Sequence, residues 1–77
     1  MPKIKPLPPQ KVIKILEKAG FRILRQKGSH LIMINEKGTR IVVPVHLGKD
    51  IKPGLIRAII KEAGLKREEF FKLLKEK

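Results

Sequence analysis

The sequence predicts an α+β fold in the order α-β-β-β-α, closed by a short extra C-terminal helix, and three observations predict it. Apolar residues recur at helical spacing near both ends of the chain, three short runs rich in β-branched residues lie between them, and glycines mark the boundaries. That order implies a three-stranded antiparallel sheet with the helices on one face. A chain of 77 residues makes one domain, 1–77, and buries only roughly 60% of the surface its unfolded form exposes, so an active site should lie on the surface.

Pro2, Pro6, Pro8 and Pro9 make residues 1–8 an extended lead-in. Val12, Ile15, Leu16 and Ala19 then fall on one helical face, with Pro9 suited to the first turn and Gly20 to the left-handed position past the end, predicting a helix over about 9–19. The runs "FRILRQ", "SHLIMIN" and "TRIVVPV" read as strands, separated by Lys27-Gly28 and Glu36-Lys37-Gly38. Pro53 opens a second helix whose Ile56, Ile59, Ile60 and Ala63 share a face and which stops at Gly64. In residues 66–77, Glu68 and Glu69 lie in the first turn and lysines in the last, the order the helix dipole favours. This is the arrangement of double-stranded-RNA-binding domains, although fold alone does not fix function.

If Lys27-Gly28 is a two-residue turn, Arg25 sits opposite His30, Phe21 opposite Ile34 and Ile23 opposite Ile32, and this apolar face meets the helices with Arg25 and His30 at its rim. Leu24, Leu31 and Met33 then occupy the opposite face, a candidate docking surface for a protein partner. The second hairpin brings His46 close to His30. With turn residues 37 and 38, His46 points away; with 36–38, His30 pairs with Pro44 and His46 falls on its side.

The net charge of +12 is the most informative bulk property. Residues 1–61 carry fourteen lysines and arginines against three acids, so the excess belongs to the body rather than to a tail. A small protein this basic attracts polyanions through salt-dependent phosphate contacts, and nucleic acid is the expected partner. No cysteine is present, which excludes a disulfide framework and a thiolate nucleophile. The apolar runs are too short to span a bilayer and no signal-peptide pattern begins the chain, which predicts a cytoplasmic protein without a membrane partner.

Two histidines sixteen apart and scattered acids lack the ligand spacing of a zinc or magnesium site, and no glycine-rich nucleotide fingerprint occurs, so neither metal nor cofactor is expected. RNA cleavage needs less machinery, because the substrate carries its own nucleophile in the ribose 2′-hydroxyl. A base, an acid and cations that stabilise charge on the phosphate suffice. His30 is the candidate catalytic group, and Arg25, Lys27, Ser29, His46 and Lys49 are candidate RNA or phosphate contacts. A non-catalytic RNA-binding module and a protein-interaction domain remain the rival classes.

The stretches "LEKAGFRILRQKGSH" and "VPVHLGKDIKPGLIRAIIKEAGL" resemble the HicA family, small toxins of toxin–antitoxin pairs that act as mRNA interferases, with similarity from about Pro8 to Leu74. The resemblance implies a double-stranded-RNA-binding-like fold, the histidine of the Gly-Ser-His motif, here His30, as the catalytic residue, metal-independent RNA cleavage that blocks translation, and a HicB-type antitoxin covering the active surface. Two positions depart from the pattern. Leu55 stands where a threonine is usual after Pro-Gly, and Met33 where an aromatic residue often lies three after the histidine, which takes away a ring that would stack on a base.

Overall fold

The computed structural model describes residues 3–46 and 48–75. Helix α1 (Pro9–Lys18) is followed by strands β1 (Arg22–Lys27), β2 (His30–Ile34) and β3 (Arg40–Pro44), then by helices α2 (Pro53–Glu62) and α3 (Arg67–Lys75). The strands form one antiparallel sheet in the order β1-β2-β3. No helix among the described residues is long and apolar enough to cross a membrane.

The helices begin and end where residue chemistry directs. Pro9 and Pro53 open α1 and α2, where a missing N–H costs nothing. Both close identically: Gly20 and Gly64 take positive φ, and the amide of the next residue reaches back to the helix, Phe21 N–H to Leu16 C=O (2.9 Å) and Leu65 N–H to Ile60 C=O (3.0 Å). This six-to-one bond satisfies a carbonyl the helix leaves over and turns the chain sharply. In α3 the Glu69 carboxylate accepts from the Lys66 N–H (3.2 Å), the return half of a capping box.

The core lies between the helices and one face of the sheet. Leu31 and Met33 of β2 and Ile41 and Val43 of β3 meet Val12, Ile15 and Leu16 of α1, Ile56, Ile59 and Ile60 of α2, and Phe70 of α3. The lead-in belongs to the same packing: Ile4 is buried, and Leu7 exchanges two backbone hydrogen bonds with Ile51 (2.7 and 3.2 Å), tying the chain ahead of α1 to the loop ahead of α2. The Lys18 ammonium donates to the Leu73 carbonyl (3.3 Å), which joins α3 to α1. All three helices therefore leave the other sheet face open.

The strand register departs from the sequence expectation in the first hairpin. Lys27, not Arg25, sits opposite His30, and the turn is Gly28-Ser29. Gly28 alone of the two has positive φ, the glycine-first arrangement of a II′ turn, whose twist suits the flanking strands. A bulge at Leu24 then shifts the remaining pairs, so that Arg25 faces Ile32, Ile23 faces Met33 and Arg22 faces Ile34. The helices also cover the face opposite to the one expected: Leu31 and Met33 are 4% and 0% exposed against them, whereas Ile32 and Ile34 lie on the open side. Two of the three residues expected to face a partner are thus core residues, and only Leu24, 40% exposed, stays at the surface.

In the second hairpin the longer loop is realised. The Asn35 side-chain oxygen accepts from Lys37 N–H (3.0 Å) and Thr39 N–H (2.8 Å), and Asn35 N–H donates to Thr39 C=O (3.2 Å), which fixes residues 36–38 as the turn. Counting back along the ladder, His30 pairs with Pro44.

Candidate functional site

Cross-strand pairing arranges the open face in three rows. At the Gly28-Ser29 end, Lys27, His30 and Pro44 lie side by side; Arg25, Ile32 and Val42 follow, and then Arg22, Ile34 and Arg40. Directly opposed residues share a face with Cβ atoms about 4.5–5.5 Å apart, and diagonal neighbours lie about 7–8 Å apart. His30 therefore has Lys27 beside it and Arg25 on the diagonal. Arg25 shares the histidine's face, as its diagonal neighbour rather than its opposite number, and Lys27, expected in the turn, takes the opposite place.

Four cations (Arg22, Arg25, Lys27 and Arg40) stand exposed in these rows and no carboxylate accompanies them. Between them lie half-buried Ile32, Ile34 and Pro44 and exposed Val42. A cationic rim on an apolar floor suits a ligand with charged backbone and flat uncharged groups, the make-up of single-stranded RNA. The His30 ring is exposed, and no described residue hydrogen-bonds to it. An imidazole so placed meets a substrate proton without first breaking a protein contact.

The remaining candidates divide. Ser29 is half-buried, and its carbonyl accepts the Val45 N–H (2.7 Å), which staples the first turn to the end of β3 and steadies the backbone at His30. His46 and Lys49 are exposed in the loop after β3, where the Lys49 N–H donates to the His46 carbonyl (3.2 Å). Both line a hollow with Pro44, Asp50, Ile51, Lys52 and Leu55. Because Pro44 is the cross-strand partner of His30, this hollow adjoins the open face. Met33 points into the core, so the departure from an aromatic residue there changes packing rather than a stacking surface.

Arg22 and Arg40 escaped the sequence reading. Plain strand alternation puts Arg22 and Arg25, three apart, on opposite faces; only the bulge at Leu24 unites them. Arg40 joins the face by pairing with Ile34, which follows once the 36–38 turn is known. Among the described residues no group of three or more His, Cys, Asp or Glu side chains is disposed to hold a metal ion.

Comparison with known proteins agrees with this architecture. No curated protein gives a significant match. The family of HicA toxins of bacterial toxin–antitoxin systems matches residues 9–65, the span from α1 to the turn that closes α2, leaving the lead-in and α3 outside it. With more than half of its length matched, and with the α-β-β-β-α order, the chain belongs to the HicA toxin family.

Proposed function

We propose that this toxin is a metal-independent endoribonuclease, an mRNA interferase that blocks translation in the cytoplasm, with His30 as its proton-transfer group. The observation that carries the reading is the company His30 keeps: an exposed imidazole on a sheet face with Arg22, Arg25, Lys27 and Arg40 and no acid. RNA supplies the nucleophile. His30 takes the proton of a ribose 2′-hydroxyl, the 2′-oxygen bonds to the adjacent phosphorus, and the bond from phosphorus to the 5′-oxygen breaks. The departing oxygen takes a proton from a second acid, for which His46 is the candidate. Lys27 and Arg25 meet the charge that grows on the phosphate, the role in which fixed cations contribute most. A HicB-type antitoxin would neutralise the toxin by covering this same face.

The experiment is incubation of the purified, antitoxin-free protein with a long single-stranded RNA in excess chelator, followed by analysis of the new ends. Fragments ending in a 2′,3′-cyclic phosphate and a 5′-hydroxyl are expected. One observation favours a second reading, a non-catalytic RNA-binding module: no described residue orients the His30 ring, whereas a general base is ordinarily held by a partner. RNA that is bound but left intact would establish that alternative.

A further inference from the structure

The hollow beside Pro44 holds, besides His46, residues that the cleavage chemistry does not use. Its floor is apolar, with Pro44, buried Ile51 and Leu55, the last 43% exposed although it is a large aliphatic residue in the first turn of α2. Its rim carries His46, Lys49 and Lys52, and with them Asp50, one of only three acids in residues 1–61. No described residue pairs with the Asp50 carboxylate. The hollow measures about 310 Å³, at the small end of the range for small-molecule sites.

We propose that this hollow is a subsite for the nucleotide next to the scissile phosphate, and that it selects the base by hydrogen bonding to Asp50. The inference rests on the ribonuclease reading for its place beside the cleaved bond, though not for the binding itself. Pro44 both pairs with His30 and lines the hollow, and cross-strand neighbours stand about 4.5–5.5 Å apart, within the reach of one nucleotide. A base laid on Leu55 and Pro44 leaves its phosphate toward Lys49 and Lys52. A carboxylate accepts hydrogen bonds and donates none. Guanine presents two adjacent N–H donors on its pairing edge and satisfies both carboxylate oxygens at once, whereas uracil flanks its single N–H with two carbonyl oxygens that the carboxylate repels.

The test measures equilibrium binding in the His30→Ala background, where RNA stays intact. Fluorescent hexamers UUNUUU, with N each of the four bases, are titrated by anisotropy into that protein and into the same protein carrying Asp50→Asn or Leu55→Ser. Both sites are exposed, and thermal midpoints check that folding is unaltered. The hexamer with N as guanine should bind about tenfold or more tightly than that with uracil, the size expected of hydrogen bonds to a charged acceptor. Asp50→Asn should collapse that ratio, and Leu55→Ser should weaken all four hexamers together. Equal affinities for the four bases, or a ratio unchanged by Asp50→Asn, would overturn the proposal. A parallel cleavage assay of the parent protein keeps the two readings apart: RNA left intact there removes the ribonuclease reading, while base selection through Asp50 still stands or falls on the hexamers.

Discussion

Replacing Asn35 by alanine should unlock the second hairpin. The side-chain oxygen of Asn35 accepts two backbone N–H groups, from Lys37 at 3.0 Å and from Thr39 at 2.8 Å, the second in a partly buried position. Water replaces the exposed bond at little cost, while the partly buried Thr39 N–H loses a partner that water reaches less well. Together the loss should come to about 1–2 kcal/mol. For a domain of this size that lowers the thermal midpoint by roughly 4–16 °C. The assay is thermal unfolding followed by circular dichroism, with Asn35→Asp as the control: it keeps an acceptor oxygen in the same place and should remain within about 0.5 kcal/mol of the parent. A midpoint for Asn35→Ala within a degree of the parent would refute the reasoning that this side chain selects the 36–38 turn, and with it the pairing of His30 with Pro44.

Met33→Ala should cost about 2–5 kcal/mol by chemical denaturation, because Met33 is fully buried between sheet and helices, whereas exposed Leu24→Ala should stay within roughly 0.5 kcal/mol. Comparable losses at both positions would contradict the placing of Met33 in the core and of Leu24 at the surface. Converting Arg22, Arg25, Lys27 and Arg40 together to glutamine should reduce the slope of log affinity against log salt for single-stranded RNA by about 3, at roughly 0.7 per phosphate contact; an unchanged slope would move the RNA off the open face. Gly64→Ala should destabilise the protein by about 1–2 kcal/mol in thermal unfolding, since its φ of +74° is strained for a side-chain-bearing residue although the space around it is open.

Helix boundaries were legible in the sequence because the residues that set them act locally. Pro9, Gly20, Pro53 and Gly64 each impose a backbone geometry on their own position, and all four lie where expected. The sheet was legible as three strands but not as two faces. Leu31 and Met33 are as apolar as Ile32 and Ile34, so alternation along β2 contains no signal about which pair the helices cover. Register added the second difficulty: moving the first turn by one residue, from Lys27-Gly28 to Gly28-Ser29, slides each pairing by two residues and leaves Arg25 on the His30 face, whereas the bulge at Leu24 changes the parity beyond it and brings Arg22 onto that face in place of Ile23. His30 and Arg25 were legible as neighbours at the rim of one sheet face, and both are exposed, but that face was expected to meet the helices and Lys27 was expected in the turn rather than opposite His30. Arg22 and Arg40 were beyond reach, since their membership of that face depends on the bulge and on the Asn35 loop.

The most direct test of the account compares the parent protein with His30→Ala on one long single-stranded RNA, in excess chelator, on one denaturing gel, with the thermal midpoint of each measured alongside. His30 is exposed and no described residue hydrogen-bonds to its ring, so the substitution should shift the midpoint by no more than a few degrees. Cleavage by the parent and none by the variant is the predicted result. Equal cleavage by both, or a variant whose loss of activity merely follows a loss of folding, would contradict the assignment of His30 as the group that moves the proton.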